Sequence, residues 1–246
     1  MLTTDAIFKA FLEGWFIARG KRSSTIQRYG NLWHLQYSLP MGGRDHEFFI
    51  YRTPVAAAVA QVRALVSGTN HWLGVAHLPE EDVAREYAAA DYFPSVLETL
   101  MVRPPAPVMV TPLPAGMKCQ PVSTWAQADW YNRTQKRQAI HPAELEERRL
   151  RYYLIFMGLV PIARGRLVLL DGGISSLDGI HVHVAHRRQG IGRALVTQML
   201  SDAAAAGHTL NVLSSSEMGY GLYQQLGYQE SLKLTLFDPI PHRVIV

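Results

Sequence analysis

The chain has 246 residues, of which 48% are hydrophobic and 18% charged. That composition excludes a disordered or collagen-like chain, and the length allows one large domain or two of about 120 residues. The single cysteine, Cys119, excludes an internal disulfide framework and a cysteine-rich zinc module, and makes the cytoplasm the default compartment. The net charge of +4 is too small and too dispersed to specify nucleic acid, so no nucleic-acid partner is expected. No apolar run reaches the roughly 18 residues of a membrane span.

Ile7, Phe8, Phe11, Leu12, Trp15 and Phe16 recur on one helical face behind a Thr4 or Asp5 cap. Asp5, Lys9 and Glu13 interrupt the apolar run, so it reads as an amphipathic helix and not a signal peptide. Next come a strand in HEFFIY, a helix in TPVAAAVAQVRALVSG, a strand in HWLGVAHL and the segment REYAAADYFPS. Five prolines between Arg103 and Met117 mark an extended linker. The expected division is therefore 1–103, a linker 104–117, and 118–246.

The second half alternates elements. Lys118 to Val122 reads as a strand, followed by a helix from Ser123 or Thr124 to about Gln138. Pro142 opens a helix through AELEERRLRY, with Arg148, Arg149 and Arg151 on a solvated face or near an anionic ligand. Three antiparallel strands are expected at Tyr152 to Met157, Pro161 to Leu170 and Ile174 to Val184. A helix from Gly190 to Ala206 stops at Gly207, Thr209 to Ser214 is a strand, Glu217 to Leu226 a helix stopped by Gly227, and Ser231 to Phe237 the last strand.

The segment VHVAHRRQGIGRAL carries the chemistry. A strand ends, a loop with Arg187, Arg188, Gln189, Gly190, Ile191 and Gly192 follows, and a helix that includes Arg193 begins. The first turn of a helix has unpaired N–H groups and partial positive charge, and glycines let an anion approach them. Such a turn suits a phosphate or pyrophosphate. Leu195 stands where a Rossmann loop wants a small residue, and the Lys-Ser/Thr of a Walker loop is absent. An unliganded turn is the alternative for Gly-x-Gly alone.

Arg-x-x-Gly-x-Gly after a strand of alternating valines resembles motif A of the GCN5-related N-acetyltransferases (GNAT family). Val184 replaces the usual proline and His186 the usual aromatic residue. GLYQQLGYQES, from Gly221 to Ser231, resembles motif B, about thirty residues on. The resemblance implies an α/β (α+β) fold with a mixed, mostly antiparallel central sheet flanked by helices. It implies acetyl-coenzyme A as donor, its pyrophosphate on the amides of the 187–193 loop. Its pantetheine is expected on a bulged strand at Ile180, His181 and Val182. Tyr223 stands at the family's general acid, which also borders the cofactor; core packing is the other role for this ring. Asp178, the only carboxylate on that strand ahead of the bulge, is the candidate base through water, with a turn residue as its alternative.

His181, His183 and His186 lack a carboxylate or thiol to complete a ligand set, so no metal is expected. Glu217 complements its helix dipole, and Cys119 reads as a structural thiol. REYAAADYFPS parallels GLYQQLGYQES, with Tyr87 over Tyr223 and Tyr92 over Tyr228. The first half is read as a degenerate GNAT-like repeat without a cofactor loop, an unrelated α/β order being the alternative. Glu86, Tyr87 and Trp72 would then wall an acceptor cleft or the lobe interface. The expected activity is transfer of an acetyl group to the amine of a small molecule or peptide. A non-catalytic acyl-coenzyme A sensor is the runner-up.

Overall fold

The computed structural model describes residues 2–20, 23–41, 43–68, 70–134 and 140–239. The first half runs α1 (Thr4–Gly20), β1 (Ser23–Tyr29), β2 (Leu32–Met41), β3 (Arg44–Tyr51), α2 (Val55–Leu65), β4 (His71–His77), α3 (Val83–Ala88) and β5 (Phe93–Arg103). The second runs β6 (Met117–Val122), α4 (Trp125–Thr134), α5 (Pro142–Leu145), β7 (Leu150–Met157), β8 (Val160–Leu170) and β9 (Ile174–Val182). It continues through α6 (Ile191–Ala205), β10 (Leu210–Ser215), α7 (Glu217–Gln225) and β11 (Gln229–Asp238).

All these strands join one sheet, in the order β1-β2-β3-β4-β11-β5-β10-β9-β8-β7-β6. Only β3–β4 and β9–β10 pair in parallel. The final strand of each half crosses over: β11 lies between β4 and β5, and β5 between β11 and β10. Neither half closes its own sheet. Separating them would leave long strand edges unpaired. Between Arg103 and Met117 the chain forms neither helix nor strand.

The two halves repeat a local device. Tyr87 accepts a backbone hydrogen bond from Tyr92, and Tyr223 accepts one from Tyr228, each closing a short helix. The residue before each second tyrosine has positive φ, Asp91 at 64° and Gly227 at 85°. The hydroxyls also match: Tyr92 Oη lies 2.9 Å from His71 Nε2 at the start of β4, and Tyr228 Oη bonds Asn211 at the start of β10. A shared helix-turn-strand closure at equivalent places is what a repeat predicts and an arbitrary α/β order does not.

Helix α1 lies across the centre of the sheet, against β1, β5, β8, β9, β10 and β11. Its apolar stripe is buried as the periodicity requires. The cap is Thr3, one residue before the expected position: its hydroxyl accepts from the Ala6 amide at 3.3 Å. Gly14 sits where α1 meets the sheet. A Cβ there would lie 2.6 Å from the Ser176 side chain. Helices α6 and α7 cover the opposite face, where Leu195, Met199 and Tyr223 pack with Met101 and Leu213.

Three expectations change. The hairpin of β1 and β2 was not among the predicted elements, although Tyr29 pairs with Leu32 around a Gly30-Asn31 turn. AELEERRLRY is not one helix: α5 ends at Leu145, and Arg151 already pairs with Leu167 on β8. The alternating run from Leu150 onward satisfies more backbone groups in the sheet than a helix end could. Helix α4 is described to Thr134, and the predicted extension to Gln138 lies outside the described residues. The strand expected to reach Val184 ends at Val182, and a short 3-10 turn spans Val184–His186.

Candidate active site

The parallel pairing of β9 with β10 runs from Ile174–Leu210 to Leu177–Leu213 and stops there. Strand β9 continues to Val182. Past Leu177 the two strands part, and the β9 edge facing the opening has no strand partner. On its other edge β9 carries a bulge: Arg166 pairs with Asp178, but Arg164 with His181. Gly179 takes φ 62° in this bulge, a conformation that favours glycine. The expected bulge is therefore present at Gly179 and Ile180, with His181 and Val182 immediately after it. In the first half, β3 and β4 stay paired to Tyr51–Ala76. No opening forms there, and Arg52, Thr53 and Pro54 are all that separate β3 from α2. The first half thus lacks both the gap and the loop.

A cleft of about 840 Å³ fills the opening. Ile180, His181, Val182, Arg187, Arg188, Gly190, Ile191, Gly192, Arg193, Asp178 and Tyr223 all border it. The loop folds as its sequence demands. Arg188 and Gly190 have φ of 63° and 78°. Gly190 is the N-cap of α6, and its carbonyl accepts the Ala194 amide at 2.9 Å. No side chain caps that helix. At Gly192 a Cβ would meet Leu222 and Val182 only at 3.5 and 3.7 Å. Packing does not require that glycine; its bareness keeps the helix N-terminus open. Arg187 Nε donates to the Val182 carbonyl at 3.1 Å, holding the loop against the strand end. Of the residues from Arg187 to Arg193, Gln189 alone does not line the cleft.

Tyr223 projects from α7, its ring edge-on to Tyr228 with centroids 5.5 Å apart. Burial, with Asp178 and Glu98 nearby, raises its pKa above the ordinary tyrosine value. The hydroxyl has no hydrogen-bond partner among the described residues, which suits a group kept for a ligand.

Asp178 sits in a double ion pair. Burial opposes its charge, but Arg166 and Arg19 outweigh burial and hold the carboxyl at about 2. Arg19 Nη2 lies 3.2 Å from Oδ1, and Arg166 Nη2 pairs with Oδ2. A carboxylate held in this way is a weaker proton acceptor than an unperturbed one. Its sequence neighbours gave no hint, because both arginines are distant in the chain.

The structure adds cleft residues that the sequence did not single out. Phe11, Trp15 and Arg19 of α1 border it, as do Ser214 and Glu98. Glu98 reaches the cleft only because β5 is inserted beside β10. Its carboxylate accepts the Ser214 hydroxyl. Burial raises its pKa, the Ser214 bond opposes the rise, Asp178 adds to it and the Arg19 charge opposes it. A carboxylate in the middle of a strand of the first half carries no local signal of this placement.

Other candidates lie elsewhere. Tyr87 is buried against Phe237 of β11, centroids 4.8 Å apart, so it belongs to the interface between the halves. Glu86 is exposed on α3, and Trp72 carries the Arg44 guanidinium 3.2 Å over its ring. Arg149 pairs with Glu147 at 3.2 Å, away from the cleft. His183 accepts the Ala185 amide at 3.4 Å, and no cluster of three or more metal-binding side chains forms among the described residues. Burial pushes the Cys119 thiol up to about 11, which makes it inert. No described helix is long and apolar enough to cross a membrane.

A family model for an acetyltransferase (GNAT) domain matches residues 151–230. Solved structures share the fold across nearly the whole chain. A GCN5-related N-acetyltransferase from Kribbella flavida is 20% identical, covering 98% of this chain and 97% of its own, at a TM-score of 0.68. One from Sphaerobacter thermophilus is 11% identical, covering 86% and 78%, at 0.56. A tandem GNAT protein from the clavulanic acid biosynthesis pathway is 14% identical, covering 87% and 82%, at 0.56. No curated protein is significantly similar in sequence. Residues 151–230 thus carry a GNAT domain, and the chain as a whole shares the fold of solved GNAT structures, a tandem one among them.

Proposed function

We propose that the chain is an N-acetyltransferase that moves an acetyl group from acetyl-coenzyme A to a primary amine. Membership of the GNAT family supports acyl transfer in general. The observation that carries the finer reading is the parting of β9 and β10 with the α6 N-terminus at one end and Tyr223 beside it.

In this reading the pyrophosphate lies on the amides of residues 188–193, where aligned dipoles and Arg187, Arg188 and Arg193 meet its charge. The pantetheine runs along the free β9 edge at Ile180, His181 and Val182. There an unpaired strand edge supplies donors and acceptors in place of a strand partner. Tyr223 faces the thioester sulfur. Its raised pKa keeps it protonated at neutral pH, so it hands over a proton only as it receives another. The amine attacks directly, and no covalent enzyme intermediate is involved. Asp178 and its two arginines fix the strand before the bulge. The single cysteine fits the cytoplasm as the compartment.

Two measurements test this. Calorimetric titration with acetyl-coenzyme A should show saturable binding. Free thiol should appear when primary amines are added. Binding without thiol release across a broad amine panel would favour a sensor instead, and no binding would end the proposal.

A further inference from the structure

We propose that Glu98, carried into the cleft by the exchanged strand β5, binds the acceptor as an ammonium ion and takes its proton. This rests on the acyl-transfer reading above and supplies a base in place of the ion-paired Asp178.

The argument starts from the faces of the sheet. Leu100 packs with Phe11, Leu12 and Trp15 of α1. Glu98 is two residues away on the same strand, so its side chain shares the α1 face. Ser214 pairs with Leu100 and therefore points to that face too. Tyr223 packs on the other face, among α6 residues. The parted strands lie between them. A thioester held in the gap would present its carbonyl carbon to an acceptor on the α1 side and its sulfur to Tyr223 on the α7 side. Base and acid then stand on opposite sides of the bond that is exchanged.

The cleft lining points to the acceptor. Asp178 is paired with both Arg19 and Arg166, which leaves one positive charge in excess, and Glu98 offsets it. Trp15, Phe11 and the Arg19 side chain wall the α1 side, and Glu98 accepts the Ser214 hydroxyl there. A half-buried carboxylate that borders the cleft can also accept hydrogen bonds from an ammonium. The fitting acceptor is a primary alkylammonium.

Protons and electrons balance as follows. The ammonium gives one proton to Glu98. The nitrogen lone pair forms the C–N bond, the C–S bond breaks, and the thiolate takes the Tyr223 proton. One of the two protons left on nitrogen passes through cleft water to the phenolate, and the other stays as the amide N–H. Glu98 releases its proton to solvent. Burial raises the affinity of Glu98 for a proton above that of an ordinary carboxylate, the direction a base requires.

The test compares two acceptors with acetyl-coenzyme A. A panel of primary alkylamines is charged at pH 7, whereas hydroxylamine is neutral there and needs no base. Glu98→Gln should lower thiol release with alkylamines on the order of 100-fold. With hydroxylamine the loss should be far smaller, and calorimetric affinity for coenzyme A should match wild type. Ser214→Ala should move the acidic limb of the pH–rate profile to higher pH, because it removes a bond that favours the carboxylate. Equal losses with both acceptors, or an unmoved acidic limb, would overturn the role of Glu98 while leaving acyl transfer intact. If wild type released no thiol with either acceptor, the parent reading would fail and this one with it.

Discussion

The guanidinium of Arg19 lies 3.4 Å from the centroid of the Trp15 ring, one helical turn away on α1. The same indole donates from Nε1 to Glu47 Oε2 at 2.8 Å. The same guanidinium holds Asp178. One turn of α1 thus ties a buried carboxylate on β3, in the first half, to one on β9, in the second. Trp15→Phe keeps the ring for Arg19 but removes the donor to Glu47. It should destabilise the fold by about 1–3 kcal/mol in urea titrations. A midpoint equal to wild type would show that the indole N–H contributes nothing.

The Asp178 carboxyl titrates near 2, against 3.8 unperturbed. A depressed carboxylate pKa means that stability from the charged form is full above about pH 4 and lost as pH falls toward 2. The linked contribution is about 2 kcal/mol. Asp178→Asn should flatten the fall in stability across that window. It should also cost about 3–5 kcal/mol at pH 7, because Arg166 loses its partner. Parallel pH curves for the two proteins would refute the ion-pair assignment.

Gly14 and Ser176 are a steric pair. Alanine is favoured over glycine inside a helix by about 1 kcal/mol. Here Gly14→Ala should destabilise instead, since its Cβ would lie 2.6 Å from Ser176. Adding Ser176→Gly should recover much of the loss. A thermal-melt double-mutant cycle reads the coupling, and strictly additive effects would mean that α1 shifts freely on β9.

Gly192 has room for a Cβ but not for an anion beside a phosphate. Gly192→Asp should keep its melting temperature within a few degrees of wild type, yet weaken coenzyme A at least 10-fold, about 1.4 kcal/mol. Calorimetry decides; an unchanged dissociation constant would place the pyrophosphate elsewhere.

Tyr223→Phe removes one hydroxyl from the cleft and leaves the packing against Tyr228. Turnover should fall on the order of 100-fold with little change in coenzyme A affinity. Steady-state thiol release and calorimetry separate the two effects. Equal turnover across pH would assign the ring to packing alone.

The sequence itself fixed what depends on neighbours along the chain. The periodicity of Ile7 to Phe16 specified α1, because burying one apolar stripe is a local pattern. Arg187 to Gly192 specified a glycine turn opening α6, because a strand exit, a positive-φ glycine and a helix N-terminus are encoded in consecutive residues. The paired tyrosines, Tyr87 with Tyr92 and Tyr223 with Tyr228, marked the repeat for the same reason.

Tertiary structure alone decided how the halves combine and what surrounds Asp178 and Glu98. Strand exchange depends on which edges find partners, and that is not written in either strand's own residues. The proton affinity of Asp178 is set by Arg19 and Arg166, from other elements of the chain. Glu98 gains its place beside Ser214 only through the insertion of β5. Electrostatic character is a property of the three-dimensional surroundings, so a carboxylate's neighbours in sequence cannot report it.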